Sequence, residues 1–438
     1  MDRFFHSVTL DKDKCVGCTN CIKRCPTQAI RVRGGKAQII SERCIDCGEC
    51  VRVCPHHAKK ARHDSLSMLD NFRWKVAIPA PALYGQFNHL DDIDVVLTGL
   101  LELGFDQVFE VSRAAEIVSD ATRQLLADDK LKKPVISSAC PAVVRLIRVR
   151  FPDLCEHVLP LKAPMEVAAM LAREAAVKET GYQPEDIGIF FLSPCAAKVT
   201  DVRVPIGIGR SNVDGVLAIS DIYPPLLGKM NHLDKTEPLS RSGIIGVSWS
   251  SIGGEAAGLL NENHLAADGI DNVINVLEEL EDEKLQELDF IELNACAGGC
   301  VGGIFTAENG YVARARIQRL RKYLPVSCNR LEDAGSAGRL EWTEALEFAP
   351  VMKLAENVED AMRLMQEIDR IGDRLPKLDC GSCGAPTCHA LAEDVVRGLA
   401  KETDCIFLMR RQIQQIATQL SSIEGFVPPE EEDVPEKT

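Results

Sequence analysis

The stretch Glu-Leu-Asn-Ala-Cys-Ala-Gly-Gly-Cys-Val-Gly-Gly, residues 292–303, decides how the centre of the chain folds. It overlaps the end of the run ELDFIELNA, which has the length and composition of a buried β-strand. Cys296 and Cys300 therefore lie just past a strand end, where open α/β sheets bind their ligands. The glycines around Cys300 let the backbone approach a bulky cofactor closely. The segment predicts a cofactor site at the edge of a sheet.

Strands and helices alternate on the N-terminal side of this segment, starting at Trp74. Apolar runs predict strands at WKVAIPA, FDQVFEV, PVISS and IGIFFLSP. Helical periodicity is present in DDIDVVLTGLLELG, APMEVAAMLAREAAVKETG and DNVINVLEEL. This alternation predicts an α/β domain with largely parallel sheets.

Two further cysteines follow predicted strands in the same way. Cys140 comes after PVI in Ser-Ser-Ala-Cys-Pro, and Cys195 comes after IGIFFL in Ser-Pro-Cys-Ala-Ala-Lys. Four thiolates brought together from three strand ends would bind a 4Fe–4S cubane.

In order and separation, the three segments resemble the signature motifs of FeFe hydrogenases. Those motifs read approximately T-S-C-C-P, M-P-C-x-x-K and E-x-M-A-C-x-x-G-C-x-x-G-G. The resemblance implies an H-cluster, in which a 4Fe–4S cubane is joined to a diiron subcluster carrying CO, cyanide and an azadithiolate. It implies that Cys300 bridges the two parts and that the cubane is held by Cys140, Cys195, Cys296 and Cys300.

The resemblance also implies roles beside the diiron subcluster. Lys198 matches the family lysine that hydrogen-bonds one cyanide ligand, which is a strong charge-assisted interaction. Ala80 and Pro81 stand where the family uses a backbone segment to cradle the other cyanide. A surface position on a helix is the alternative for Lys198, and a plain turn is the alternative for Ala80-Pro81.

Three residues depart from the catalytic pattern of that family. Ala139 replaces a cysteine that passes protons, and losing a positioned acid–base relay costs roughly 10²–10⁴-fold in rate. Ser193 and Asn294 replace methionines, so hydrogen-bond donors are expected near the diiron site in place of soft sulfur. We expect a chain that keeps its cofactor and slows its chemistry. Random drift in a decayed enzyme is the alternative.

The segment VFEVSRAAEIVSDATRQLL lacks the adjacent glutamates of the family's proton path. Its acidic residues Glu110, Glu116 and Asp120 are assigned to a solvated helix face.

The N-terminal cysteines form an internal repeat. Cys15-x-x-Cys18-x-x-Cys21-x-x-x-Cys25-Pro returns, displaced by 29 residues, as Cys44-x-x-Cys47-x-x-Cys50-x-x-x-Cys54-Pro. In this pattern the fourth cysteine of each run ligates the other cluster. The repeat therefore predicts two 4Fe–4S clusters, one held by Cys15, Cys18, Cys21 and Cys54, and the other by Cys44, Cys47, Cys50 and Cys25. A structural zinc site is the alternative, but zinc needs only one C-x-x-C pair from each arm.

A fourth cysteine group lies near the C-terminus and has the spacing C-x-x-C-x₄-C-x₁₆-C. It resembles the small 4Fe–4S domain of some corrinoid and electron-bifurcating proteins, which implies a third simple cluster held by Cys380, Cys383, Cys388 and Cys405. A zinc site is again the alternative.

Apolar residues from Ile406 to Ile423 recur at steps of three and four, which is heptad spacing. The pattern predicts a partner helix, with a homodimer as the expected assembly; packing against the chain's own domain is the alternative. The acidic segment 426–438 predicts a disordered tail.

Composition excludes several classes of function. A net charge of −15 argues against nucleic acid as a partner. The start MDRFFHSVTLDKDKC has no signal-peptide core, and no apolar run is long enough to span a membrane. We expect a cytoplasmic protein whose clustered thiols are metal ligands.

These observations predict a fold class and a domain order. We expect an α/β FeFe-hydrogenase H-cluster domain, an N-terminal α+β bacterial-type two-cluster ferredoxin domain and a small α-helical C-terminal 4Fe–4S domain. The predicted boundaries are 1–65 for the ferredoxin domain, 72–370 for the H-cluster domain, 374–408 for the C-terminal domain and 409–425 for the heptad helix.

The chain is similar to the sensory branch of the family, without a PAS domain, and a hydrogen or redox sensor is the expected function. Expected partners are H2 and protons, a ferredoxin-like electron carrier, a kinase or phosphatase, and the hydrogenase maturation proteins. The alternatives are a catalytic hydrogenase with another proton path and an iron–sulfur assembly factor without the diiron subcluster.

Overall fold

The computed structural model describes residues 5–128, 130–330, 334–351 and 353–424. The predicted acidic tail lies outside these residues, as does the last residue of the predicted heptad helix.

Residues 5–65 form a small α+β unit of two short hairpin-like sheets and two one-turn helices. Antiparallel pairing joins β1 to β4 and β2 to β3. The elements are β1 (Val8–Leu10), α1 (Asn20–Lys23), β2 (Ile30–Arg33), β3 (Lys36–Ile39), α2 (Glu49–Arg52) and β4 (Lys59–Ala61). Each helix is a single turn because it only has to carry one C-x-x-C segment past its metal site.

The central part contains two parallel sheets flanked by helices. The strands are β5 (Trp74–Pro79), β6 (Gln107–Val108), β7 (Val135–Ile136), β8 (Ile187–Ser193), β9 (Gly215–Ala218), β10 (His264–Asp268) and β11 (Phe290–Asn294). One sheet has the order β6-β5-β8-β9, and the other has the order β10-β11-β7. All pairs within these two sheets are parallel.

Helices flank both sheets, as is usual for parallel sheets. The helices of the central part are α3 (Ile93–Glu102), α4 (Val111–Ala127), α5 (Pro141–Arg150), α6 (Pro164–Thr180), α7 (Ala196–Arg203), α8 (Ile219–Met230), α9 (Ile244–Ser248), α10 (Gly254–Gly258), α11 (Ile270–Glu281) and α12 (Gly310–Leu320). Every residue of β8 is buried, which explains its uninterrupted apolar sequence up to Ser193. The parallel arrangement brings the carboxyl ends of β5 and β8 to one edge.

The C-terminal part is helical and consists of α13 (Val358–Arg374), α14 (Cys388–Val396) and α15 (Ile406–Glu424). Ile368 and Ile371 of α13 pack against Ala390 and Leu391 of α14. Most of α13 falls within the predicted range 72–370, yet these packed residues belong with the C-terminal helices.

The predicted fold class, an α/β central part with an N-terminal α+β unit and a helical C-terminal part, is confirmed.

The predicted strand FDQVFEV is shorter than expected. Only Gln107–Val108 forms a strand, since the chain leaves the sheet edge to enter α4 at Val111. One further backbone bond, from Phe109 N to Ala77 O at 2.9 Å, continues the pairing. Within the described residues, no helix is long and apolar enough to cross a membrane.

Candidate metal centres

A central cavity of about 850 Å³, including the part open to solvent, lies beyond the strand ends of the central part. Cys140 directly precedes α5, and Cys195 directly precedes α7. Cys296 and Cys300 lie on the loop after β11. The cavity is lined by all four of these cysteines and by Ala80, Pro81, Ala139, Lys198 and Asn294. The structure therefore brings together every residue predicted for this site except Ser193, which does not line the cavity.

Burial strongly disfavours free thiolates in this cavity. It raises the pKa of Cys195 well above its ordinary value, that of Cys296 to about 11 and that of Cys300 to about 12, and mutual repulsion among the thiolates adds to the effect. Bound cations reverse this, because a coordinating thiol is deprotonated outright. A four-sulfur donor set suits zinc or an iron–sulfur cluster. The volume is far larger than one zinc ion needs, so the residues fit a cluster.

The glycines after Cys300 are required by the protein's own backbone. A Cβ at Gly303 would lie 2.1 Å from Pro194 O, and one at Gly302 would lie 2.1 Å from Ala297 O. The sequence suggested close approach to a cofactor as the reason for these glycines. The structure adds a second reason at Gly303, which lines the cavity and also packs against the Pro194 carbonyl, so that the Cys195 and Cys300 loops lie in contact.

Lys198 lines the cavity and is half-buried. Its Nζ donates to Ala139 O at 2.9 Å, which joins α7 to the loop that carries Cys140. Burial dominates the pKa of Cys300, and the positive charge of Lys198 opposes it.

The two polar replacements behave differently. The side chain of Asn294 lines the cavity, and its Nδ2 donates to Glu292 Oε1 at 3.0 Å. The Ser193 hydroxyl is turned to its own loop, where it donates to Cys195 O and accepts from Cys195 N, both at 3.1 Å. The expectation that Ser193 adds a donor beside the diiron site is wrong, because the loop backbone uses that hydroxyl. Buried Met165 of α6 lines the cavity, so a thioether remains there.

Two buried glutamates at the cavity wall were missed by sequence reasoning. Glu255 of α10 is 4% exposed and accepts from Ser137 Oγ at 2.7 Å. Burial, and then the charge of Glu292, raise the pKa of Glu255 to about 8. Burial raises the pKa of Glu292 too, but hydrogen bonds from the backbone N–H groups of Gly253 at 3.0 Å and Ala256 at 2.9 Å oppose that shift. Glu255 is therefore the member of the pair that keeps its proton near neutral pH.

The assignment of Glu110 and Glu116 to a solvated helix face is wrong. They are 2% and 1% exposed. Glu116 accepts from the backbone N–H groups of Gly243, Cys328 and Asn329 at 2.5–2.9 Å. Glu110 accepts from Arg241 N at 2.6 Å and from the hydroxyl of Tyr84 at 3.3 Å. Both carboxylates anchor loops far away in the sequence. Asp120 is half-buried and pairs with Arg123 at 2.9 Å.

The N-terminal unit holds two smaller cavities, each lined by four cysteines. The inner site, about 350 Å³, is lined by Cys25, Cys44, Cys47 and Cys50. The outer site, about 340 Å³, is lined by Cys15, Cys18, Cys21 and Cys54. Each set contains the fourth cysteine of the other run, which is the crossed arrangement the repeat predicts. The similar volumes and the sulfur donors fit one cubane in each.

The inner site adjoins the central cavity. Arg52, in the same helix α2 as Cys50, donates to Gly302 O at 2.7 Å and also hydrogen-bonds the Cys296 sulfur. Asp46, beside Cys44, accepts from Thr200 Oγ1 of α7 at 2.6 Å. The inner site and the central cavity are therefore in direct contact, and a metal group in one would lie next to a metal group in the other.

The C-terminal cysteines dock on the opposite side of the N-terminal unit. Cys383, Cys388 and Cys405 share one packed cluster, and the charges of Cys380 and Cys405 act on Cys383. Val32, which lines the outer site, donates through its N–H to Gly384 O at 2.8 Å. We call this group of four cysteines the C-terminal site.

A buried ion-pair network fixes this docking. Asp394 of α14 accepts from Arg31 Nε at 2.7 Å and from Arg33 Nη2 at 2.6 Å. Beside it, Arg43 Nη2 pairs with Glu393 at 2.6 Å. Direct contacts thus join the C-terminal site to the outer site and the inner site to the central cavity.

Comparison with known families matches residues 74–248 and 251–304, just over half of the chain, to the iron-only hydrogenase large subunit, C-terminal domain. The chain belongs to this hydrogenase family. The N-terminal unit matches a 4Fe–4S dicluster domain over residues 7–55, and residues 375–407 match a domain described as a putative Fe-S cluster. This member of the family is an iron–sulfur protein with a hydrogenase-like H-cluster domain.

The family relatives it matches are distant. It is 27% identical over 239 residues to the periplasmic [Fe] hydrogenase large subunit of Nitratidesulfovibrio vulgaris, covering 50% of this chain and 56% of that protein. It is 22% identical over 374 residues to iron hydrogenase 1 of Clostridium pasteurianum, covering 69% and 65%. The matches thus span less than two thirds of both relatives' lengths.

A cytosolic Fe-S cluster assembly factor of Aspergillus flavus is 23% identical over 142 residues, covering 32% of this chain and 24% of that protein. A solved [FeFe]-hydrogenase from Chlamydomonas reinhardtii aligns with a TM-score of 0.49 at 16% identity, covering 63% of this chain and 94% of that one.

Proposed function

We propose that this hydrogenase relative binds or slowly converts H2 and acts as a hydrogen and redox sensor. One observation carries the proposal. The central cavity offers four cysteines, as each N-terminal site does, but has more than twice the volume of either. The additional space is bounded by Ala80, Pro81 and Lys198, which fits a diiron subcluster beside a cubane. When bound, this H-cluster supplies the iron at which hydrogen is split into protons and electrons.

The chain's own residues hold the ligands of such a group and supply few protons. The Ala139 carbonyl takes one of the three N–H donors of Lys198, and the others can donate to an anionic ligand. The side-chain amide of Asn294 donates a hydrogen bond to Glu292 and makes this part of the cavity wall polar. The methyl group of Ala139 has no proton to exchange. Binding without fast proton transfer is the behaviour of a sensor.

The contacts between neighbouring cysteine sites support electron transfer away from the central cavity. Electrons released there would pass to the inner site, then to the outer site and then to the C-terminal site. Cys405 is followed directly by α15, so a change at the C-terminal site is adjacent to this helix. Met409, Ile413, Ile416 and Leu420 of α15 are 44–59% exposed. We propose that these side chains form a homodimer seam or contact a kinase or phosphatase. We also propose that an external ferredoxin-like carrier exchanges electrons with the outer site or the C-terminal site.

A second candidate is a catalytic hydrogenase that uses another proton path. For the sensor and for the catalytic enzyme alike, the hydrogenase maturation proteins would insert the H-cluster. Glu255 favours it, because this carboxyl group lines the cavity and holds a proton near neutral pH. A third candidate, an assembly factor without the diiron subcluster, is favoured by the match to the Aspergillus protein.

The sensor and the catalytic hydrogenase are distinguished by Ala139→Cys. A thiol at this position restores a titratable group at the cavity wall, and we expect hydrogen uptake with a dye acceptor to rise roughly 10²-fold or more. Ala139→Ser is the matched control, since its hydroxyl is similar in size but does not titrate in this range. If both variants and the wild type turn over at the same rate, the proton-relay argument is wrong.

A further inference from the structure

The internal repeat places a lysine where its other copy has an isoleucine. The displacement of 29 residues aligns Ile30 with Lys59, each five positions after the fourth cysteine of its run. Ile30 is 2% exposed and lines the inner site, while Lys59 is 3% exposed and lines the outer site. The same buried position is thus apolar at one site and cationic at the other.

The Lys59 ammonium has no protein partner. Its Nζ is inaccessible to solvent and makes no hydrogen bond within the described residues. The neighbouring Lys60 is exposed and pairs with Asp11 at 3.3 Å. A buried ammonium without an acceptor is strongly unfavourable, so it persists in a fold only where another group offsets its charge.

The cysteines around Lys59 identify that group. Burial raises the pKa of the Cys21 and Cys50 thiols, and the positive charge of Lys59 acts in the opposite direction on both. Its backbone N–H also hydrogen-bonds the Cys54 sulfur. A cubane bound by four thiolates is anionic and presents sulfur acceptors, which is what the ammonium lacks.

We propose that Lys59 donates a charge-assisted hydrogen bond to the cluster of the outer site and raises the reduction potential of that cluster. Reduction adds one electron to the cluster and breaks no bond, and a nearby cation stabilises the more negative state. The inner site is under two opposed charges, the Lys59 ammonium acting on Cys50 and the Asp46 carboxylate beside Cys44. This inference rests on the proposed cluster binding and deepens it. Electrons from the central cavity would collect at the outer site, next to the C-terminal site.

The test is an EPR-monitored redox titration of the cluster-loaded full chain, with dithionite as reductant. Lys59→Ile installs the residue of the other repeat copy and should lower the midpoint potential of the outer-site cluster the most, while the potentials of the central and C-terminal sites stay fixed. Lys60→Met is the matched control, because it removes the same charge one residue away at an exposed position, and it should shift none. Lys59→Arg keeps the charge and should retain the wild-type potential.

Unchanged potentials in Lys59→Ile, at wild-type iron content, would overturn the inference. Should Lys59→Ile lose iron, Lys59→Gln keeps a donor without the charge, and a wild-type potential in that variant would equally overturn it. A wild-type chain that binds no iron at the N-terminal cysteines would overturn the proposed function itself, and the inference with it.

Discussion

Replacing Glu255 by glutamine should make the stability of this chain less dependent on pH. Glu255 is buried, and the side-chain amide of the variant could still accept the hydrogen bond from Ser137 Oγ. The pKa of Glu255 rises from 4.5 to about 8 on folding. Because the folded state holds this proton more tightly, the unfolded state binds fewer protons than the folded one between these values. The contribution of Glu255 to the free energy of unfolding is therefore complete below pH 4.5, and it is lost as the pH rises through about 8.

The size of the effect follows from the shift. One pKa unit corresponds to about 1.4 kcal/mol, so Glu255 titrating alone would cost the fold on the order of 4–5 kcal/mol between pH 4.5 and 8. Glu292 shares part of that cost, since the two carboxyl groups repel each other. We therefore expect about 2–4 kcal/mol. An anionic cluster in the cavity acts in the same direction on the pKa.

The assay compares anaerobic unfolding of wild type and Glu255→Gln at pH 5.5, 7 and 9, at equal iron content. The advantage of the variant over the wild type should be smallest at pH 5.5, one unit above the ordinary glutamate pKa of 4.5, and should grow to the stated amount at pH 9. Glu262→Gln changes an exposed glutamate nearby and is the control, with no pH-dependent difference expected. A difference between Glu255→Gln and wild type that stays constant across this range would refute the argument.

Three further changes test other parts of the structure. Gly303→Ala places a Cβ against Pro194 O and should cost about 1–3 kcal/mol of stability and lower the iron content of the central site, measured by unfolding and metal analysis. Asp394→Asn leaves the buried guanidinium of Arg31 without its anion and should cost about 3–5 kcal/mol, with the C-terminal helices released to limited proteolysis. Ile416→Asp puts a charge into the exposed apolar seam of α15 and should convert a dimer to a monomer in sedimentation analysis.

Each of these three changes has a control. Gly228→Ala meets no atom within 4 Å and should be neutral. Asp373→Asn breaks an exposed pair with Lys377 and should cost less than about 1 kcal/mol. Gln415→Asp lies off the seam of α15 and should leave the assembly intact. A variant that behaves like its control contradicts the contact assigned to it, and a wild type already monomeric contradicts the dimer.

The cysteine sites could be predicted because their information is local. A C-x-x-C-x-x-C run fixes three donors within one turn, and the repeat itself tells which fourth cysteine belongs to each site. The strand ends of the central part could also be predicted, since runs such as IGIFFL are apolar throughout. The folded chain brings three of these predicted cysteine sets together around a common cavity, and it packs Cys383, Cys388 and Cys405 of the fourth set into one cluster, with the charge of Cys380 acting on Cys383.

The buried charges could not be predicted, because their partners are far away in the sequence. Glu116 looks like any acidic residue of a surface helix, and the N–H groups that bind it come from residues more than 120 positions later. Glu255 meets Ser137 across 118 positions. Ser193 was misjudged for a different reason: its hydroxyl has acceptors and donors two residues away, and a motif comparison does not show which way a side chain turns.

The most direct test of the central claim is the infrared spectrum of the full chain, matured anaerobically with the hydrogenase maturation proteins and recorded under argon and then hydrogen. The proposal predicts CO and cyanide bands that shift when hydrogen is admitted and return under argon, and Lys198→Met should displace the cyanide bands. If no such bands form while a control hydrogenase matured in parallel shows them, the central cavity holds no diiron subcluster and the hydrogen-sensing account is contradicted.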